Sequence, residues 1–211
     1  MECSWARNRQ DEEKRHCRVK IKKFFSDFFC DYKKISKSIK SHQDVHINCE
    51  RISLAVICAE DKYFFSHYGV SIKSIARAAV KFHGGASTIT MQLVRVISGR
   101  YEVTITRKIR EAILAVLIER KYDKFEILNA YLSCAYFGTG LIGINDVMKV
   151  FFKDKEKNDL SSMDCYFIAA LLKRPAPREI TTSWACRVNT RMKYIEDVAS
   201  VKGKLILEKI K

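Results

Sequence analysis

Apolar residues recur along this sequence at spacings of three and four, and almost nowhere at every second position. Ile52, Ala55, Val56 and Ala59 fall on one stripe. Ile72, Ile75, Ala76, Ala79 and Val80 fall on a second, and Ile89, Leu93, Val96 and Ile97 on a third. Side chains so spaced share one face of a helix, whereas a half-buried strand would alternate. Gly84–Gly85 are expected to stop the second helix and Gly99 the third, with Ser87 or Thr88 capping the third at its start. Further helices are predicted over 104–120, 124–134, 142–152, 161–172 and 186–201, with Pro175 and Pro177 breaking the chain before the last. No internal repeat appears, and no linker is long enough to divide the chain. The expectation is a mainly α, single-domain body of about eight to ten helices. It would occupy residues 47–211, after a lead-in over 1–46.

That lead-in is basic. Lys20–Lys40 sets Phe24, Phe25, Phe28, Phe29, Tyr32, Ile35 and Ile39 on one stripe among lysines, which predicts an amphipathic helix. Two readings stay open for it: packing against the body, or lying on an anionic membrane surface. The whole chain of 211 residues carries a formal charge of +15, so an anionic partner is expected, whether nucleic acid, membrane or phosphorylated substrate. No apolar run reaches the roughly 18–20 residues needed to span a bilayer. The basic N-terminus lacks the apolar stretch and small-residue cleavage site of a secretory signal. Eight cysteines are scattered without a Cys-x-x-Cys pair, which excludes the common zinc and thioredoxin-type motifs. Cys58 and Cys165 sit inside apolar helical patterns, where a reduced thiol serves as a small hydrophobe.

Three clusters are able to carry chemistry. Glu60–Asp61 closes the apolar run Leu54–Ala59 and is followed by Phe64, His67 and Gly69. A carboxylate there is either a solvated helix-terminal acid or a partly buried group suited to proton transfer. Gly85-Ala-Ser-Thr-Ile-Thr-Met-Gln92 puts Ser87 and Thr88 at a helix start, with Gln92 and Arg95 within the next two turns. Such a start is an anion site or an ordinary N-cap. Arg107, Lys108 and Glu111 share a helix face, either as surface pairs or as two cations that hold a diphosphate beside a carboxylate. A fourth pattern, Gly138-Thr-Gly-Leu-Ile-Gly143, matches the dinucleotide fingerprint in letters only, because a helical segment rather than a strand precedes it.

In order, Glu60-Asp-x-x-Phe64-x-x-His67-x-Gly69, Gly85-Ala-Ser-Thr-x-Thr-x-Gln92-Leu and Arg107-Lys-x-x-Glu111 resemble the family 51 peptidoglycan glycosyltransferases. The resemblance runs on through Lys124-x-x-Ile127-Leu-x-x-Tyr131-Leu132, Phe137-Gly-x-Gly-x-x-Gly143-Ile144 and Ala169–Pro175, and covers roughly residues 47–200. It implies a lysozyme-like fold and the polymerisation of lipid II into glycan strands at the outer face of the bacterial cytoplasmic membrane. Glu60 would then match the general base and Glu111 the second carboxylate. Glu111 would lie near the diphosphate or near a divalent cation, Mg²⁺ or Mn²⁺. Arg95, Arg107 and Lys108 would face the leaving diphosphate. Ser87, Thr88 and Gln92 would line the donor site, and Asp61, Phe64 and His67 are expected at the substrate as well. The resemblance further implies no organic cofactor, no nucleic-acid partner, a peripheral attachment to an anionic membrane surface, and contact with other cell-wall synthesis proteins.

The chain departs from the family pattern in several places. No N-terminal transmembrane helix is evident, and the stretch from Gly69 to Gly85 is short. Arg95 and Val96 stand where Lys and Asn are common, Asn129 and Ser133 where Glu and Asn are. Ser98–Val103 is polar where relatives are greasy. Two other functions fit parts of the pattern. A lysozyme-like hydrolase needs no diphosphate-binding cations, so the Arg107–Lys108–Glu111 cluster speaks against it. A catalytically silent basic module, binding anionic membrane or lipid-linked substrate, would account for the charge but not for the Glu60 and Glu111 pair.

Overall fold

The computed structural model describes residues 2–42, 49–71 and 87–210, and for residues 2–21 the backbone alone. The helix expected over 72–80 and its Gly84–Gly85 stop lie outside these residues. Among the described residues the chain is mainly α, with eight α-helices and one short hairpin. We number them α1 (Glu2–Ser41), α2 (Glu50–Glu60), α3 (Ile89–Ser98), α4 (Ile105–Glu119), α5 (Lys124–Cys134), β1 (Tyr136–Gly138), β2 (Leu141–Ile142), α6 (Ile144–Phe151), α7 (Ser162–Leu171) and α8 (Thr182–Ile210).

Most ends follow from local chemistry. Thr88, rather than Ser87, caps α3 by accepting from the Met91 N–H at 3.2 Å, and Gly99 closes it in the left-handed conformation. Thr104 caps α4 through the Arg107 N–H. Asp123 with Glu126, and Ser161 with Asp164, form reciprocal capping boxes at the starts of α5 and α7. The helix expected from 142 starts instead at Ile144, because Leu141–Ile142 pairs with Tyr136–Gly138 and Gly143 takes a φ of +77°. A side chain at Gly143 would put its Cβ 2.3 Å from the Ser133 carbonyl oxygen. These glycines therefore build a hairpin turn and its close approach to α5, and no dinucleotide loop is formed. The last helix is longer than expected, running Thr182–Ile210. Trp184 anchors it by donating its indole N–H to the carbonyls of Arg174 and Pro175 at 3.2 and 2.9 Å.

Packing divides the body into two groups around one core. α2 lies against α7 and α8, while α3 is enclosed by α1, α4 and α5. Ile52, Val56 and Ile57 of α2, Leu93 of α3, Leu114 and Ile118 of α4 and Ile168 of α7 are all fully buried. On α3 the expected stripe is only partly buried: Ile89 and Leu93 are in the core, while Val96 and Ile97 are half-buried. Of the two readings for Lys20–Lys40, packing on the body accounts for its C-terminal half, where Ile35 and Ile39 join the core. Asp31 pins this half by accepting from Arg100 Nε at 2.9 Å and Arg110 Nε at 3.0 Å. Phe25 and Phe29 on the same helix stay exposed. Cys30, Cys49, Cys58, Cys134, Cys165 and Cys186 are free thiols, and burial pushes Cys58 up to about 11 and Cys134 up to about 12.

Candidate active site

Glu60 is the last residue of α2, so its backbone is fixed by the buried stripe behind it while its side chain projects past the helix end. The carboxylate is 12% exposed, which settles it as a partly buried group rather than a solvated acid. Both of its oxygens are held. Gln92 of α3 donates Nε2 to Oε2 at 3.0 Å, and Arg191 of α8 donates Nη2 to Oε1 at 3.3 Å. The amide of Gln92 is oriented in turn by Tyr131 of α5, whose hydroxyl donates to its Oε1 at 2.8 Å. Tyr131 is fully buried beside Glu60, and burial raises its phenol well above the ordinary range, so it remains a neutral donor. Arg191 also donates to the Ala59 carbonyl at 2.5 Å and stacks on Tyr194, 4.7 Å from the ring centroid.

One turn along α3, Arg95 meets the second carboxylate. Its guanidinium forks onto Glu111, with Nε to Oε1 at 2.9 Å and Nη2 to Oε2 at 3.2 Å. Arg107, four residues before Glu111 on α4, donates to the same Oε1. Glu111 is 3% exposed, whereas Arg95 is 28% exposed, so the carboxylate is the buried organiser and the cations form the outer layer. Lys108 donates Nζ to the Ser87 hydroxyl at 3.0 Å, and Arg95 Nη2 reaches that hydroxyl at 3.4 Å. The pairing with Glu111 raises Arg95 further above its usual value, so it is charged at every working pH. Burial, and then the neighbouring Arg95, lower Lys108. Three cations thus surround one carboxylate, an arrangement with spare positive charge for a dianionic or trianionic ligand.

Gln92 and Arg95, three residues apart, share a face of α3. The helix rises roughly 1.5 Å per residue, so the group that touches Glu60 and the group that touches Glu111 are offset by about 4.5 Å along the axis. A partly buried carboxylate and a cluster of cations therefore adjoin on one helix face. Glu60, Ser87, Gln92, Arg95, Arg107, Lys108 and Glu111 are brought together by these contacts. Asp61, Phe64 and Thr88 are placed inward as scaffold, at 6%, 1% and 1% exposure. Asp61 Oδ2 accepts from His67 Nε2 at 2.9 Å and from the Ile89 N–H at 3.3 Å. Thr88 donates to the Gly69 carbonyl at 2.7 Å. Gly69 allows that approach with a φ of +81° and lies against the backbone of Ala115, where a Cβ would be 2.5 Å away.

Sequence reasoning left several contributors without a role. Tyr131 and Lys124 stand in the Lys124-x-x-Ile127-Leu-x-x-Tyr131-Leu132 motif, which was their only signal. Glu119 and Arg191 stood in none.

Glu111 was the candidate ligand for a divalent cation. Both its oxygens are taken by guanidinium nitrogens, and no group of three or more His, Cys, Asp or Glu side chains suited to a metal occurs among the described residues. The described groups around Glu111 do not by themselves compose a cation site. No described helix is long and apolar enough to cross a membrane.

Comparison with known proteins accords with this geometry. Penicillin-binding protein 1A of Rickettsia felis is 38% identical over 148 residues, which are 66% of this chain and 18% of the relative. Penicillin-binding protein 1A of Aquifex aeolicus is 38% identical over 133 residues, 60% of this chain and 18% of the relative. Penicillin-binding protein 1F of Bacillus subtilis is 37% identical over 134 residues, again 60% and 18%. The chain thus spans only about a fifth of the length of these relatives. The model of the transglycosylase family matches residues 27–199, a span that begins within α1 and takes in every residue of the site. On that match the chain belongs to the transglycosylase family, the family 51 peptidoglycan glycosyltransferases, which are hexosyltransferases.

Proposed function

We propose that this protein polymerises lipid II, with Glu60 as general base and the Arg95–Arg107–Lys108 cluster as the site of the leaving diphosphate. A single observation carries the reading: Gln92 and Arg95, on one face of α3, join Glu60 to Glu111. A sugar hydroxyl is a poor nucleophile at neutral pH and needs a positioned base. Glu60 takes the proton of the acceptor 4-hydroxyl as that oxygen attacks the anomeric carbon of the donor. The new C1–O4 bond forms while the bond from C1 to the diphosphate oxygen breaks, and undecaprenyl diphosphate leaves with the electron pair. The proton ends on Glu60. One displacement inverts the donor's α-linkage to β-1,4. Charge grows on the diphosphate in the transition state, and preformed cations stabilise it there without having to reorganise.

The membrane surface is part of the same reading. Ile105, Ile109 and Ile113 lie four apart on one face of α4, and all three are exposed, as are Tyr101 and Val103 just before the helix. They adjoin Arg107 and Lys108, so an apolar strip runs beside the cations that would meet a lipid-linked diphosphate. This supports peripheral attachment to an anionic leaflet, which rests partly on screened attraction and should be released by high salt. Protein left in the membrane fraction after salt and carbonate washing would overturn it.

The deciding experiment is polymerisation of labelled lipid II by purified protein, beside Glu60→Gln, with products resolved by glycan length. The variant should keep its helical content and lose activity by about 10²–10⁴-fold. Retained activity would remove Glu60 as the base. Release of soluble muropeptides from purified cell wall would favour a hydrolase instead.

A further inference from the structure

Behind Glu60 lies a second charged group that no step of the reaction uses. Glu119, the last residue of α4, is only 1% exposed in its side chain and cannot touch substrate. It accepts from the hydroxyl of Thr90, in the first turn of α3, and from Lys124 Nζ, at the start of α5, at 2.6 Å. Lys124 also donates to the His67 carbonyl at 2.8 Å and lies 4.5 Å from the centroid of the Phe64 ring. His67 passes the connection on through Nε2 to Asp61, the residue after Glu60. Its other nitrogen, Nδ1, is buried without a hydrogen-bond partner and faces Glu119 Oε1 at 4.0 Å.

The two chain segments that hold the base's carboxylate therefore converge on one buried ion pair. The end of α2 reaches it through Asp61, His67 and Lys124. The start of α3, which carries Gln92 two residues past Thr90, reaches it through Glu119. We propose that Glu119 and Lys124 are a positioning pair for Glu60, fixing Gln92 relative to the carboxylate it orients. The proposal rests on the assignment of Glu60 as base.

The pair is sensitive to pH in a defined direction. Burial lowers Lys124, and the hydrogen bond and charge of Glu119 oppose that, with a smaller contribution from Asp61. Glu119 faces the ammonium from α4 and Asp61 faces it from the loop after α2, with the His67 ring between them. Removing the charge of Glu119 leaves burial opposed by Asp61 alone, so Lys124 loses its proton at a lower pH. A residue with a merely structural role would not move that limb of the rate profile.

The test uses the full chain and lipid II, with kcat and KM measured from neutral to alkaline pH for wild type, Glu119→Gln, Glu119→Asp and Glu60→Gln. Glu119→Gln should fold, keep KM within about twofold and lose kcat by about 10–100-fold. Its alkaline limb should move to lower pH. Glu119→Asp, which restores the charge, should return the limb toward that of wild type. Wild-type kcat and an unmoved limb in Glu119→Gln, with Glu60→Gln inactive, would overturn the positioning role while leaving the base in place. An active Glu60→Gln would overturn the base and this proposal with it. If Glu119→Gln does not fold, the double variant Glu119→Gln/Lys124→Met, which leaves no unpaired buried charge, decides. Low kcat with no alkaline limb from Lys124 supports the pair, and wild-type kcat overturns it.

Discussion

Arg191 places Nη2 3.3 Å from Glu60 Oε1 across a sequence separation of 131 residues. α8 packs along α2, and the length of an arginine side chain lets its guanidinium reach around the end of that helix to the Ala59 carbonyl and the Glu60 carboxylate together. The contact satisfies a helix-terminal carbonyl and restrains one oxygen of the base, while Gln92 restrains the other.

Arg191→Met should therefore damage both stability and catalysis. Loss of a charged hydrogen bond at a mostly buried carbonyl costs about 1–3 kcal/mol. Freeing one Glu60 oxygen should lower kcat by about tenfold with little change in KM. Thermal unfolding together with steady-state polymerisation would check both. A variant with a lower Tm and unchanged kcat would make Arg191 a helix cap alone.

Arg95 and Glu111 should behave as a unit. Arg95→Met alone leaves a carboxylate that is 3% exposed with Arg107 as its one direct ion-pair partner, and Glu111→Gln alone leaves three cations with no counter-charge between them. Each single variant should lose polymerisation by about 10²–10³-fold, and the double variant should lose far less than the product of the two. A double-mutant cycle on kcat/KM reads the coupling directly, and additive losses would show that the two act independently.

Lys108 should trade stability for activity. Its value is lowered from the ordinary 10.5, first by burial and then by Arg95, so the folded state disfavours the charged form. Between the lowered value and 10.5 the unfolded chain binds more protons than the folded one, and this group's contribution to stability rises with pH. Lys108→Met should accordingly raise Tm at neutral pH while lowering kcat/KM by about 10–100-fold, because the ammonium is needed only when the diphosphate is present. Calorimetry beside the polymerisation assay tests the pair of signs.

Asp31 should prove essential to the seating of α1. It holds Arg100 and Arg110 together, with Arg110 Nη2 at 2.8 Å, and Arg110 also lies over the rings of Phe24 and Phe28 at 5.2 and 5.7 Å. Asp31→Asn leaves the buried Arg110 without its carboxylate and Arg100 with only the more exposed Asp27, and should cost about 3 kcal/mol. For a chain of this size that is a fall in Tm of roughly 6–12 °C. Limited proteolysis within α1 should quicken in parallel. An unchanged Tm would mean that Ile35 and Ile39 alone seat the helix.

Much of the local architecture was legible in the residues. The stop of α3 was readable from Gly99 and its start to within the Ser87–Thr88 pair, and the start of α4 from Thr104, because capping is decided within a few positions of a helix end. The start of α6 was not, since the Leu141–Ile142 strand exists only through its pairing with Tyr136–Gly138. Motif order pointed to Glu60, Gln92, Arg95, Arg107, Lys108 and Glu111. It could not separate residues that face outward from those that serve as scaffold, and it assigned Asp61, Phe64 and Thr88 to the substrate although all three point inward.

The sequence by itself determined the helical periodicity, the caps, the excess of positive charge and the residue types available for proton transfer and diphosphate binding. These are properties of spacing and composition, set within a turn or two of chain. Tertiary structure alone decided that Glu60 is partly buried with both oxygens held, that Glu111 lies beneath its cations, and that Arg191, Glu119 and Asp31 meet partners on distant elements. Such contacts depend on which helix faces pack and how far a side chain reaches across them, and no local pattern encodes either.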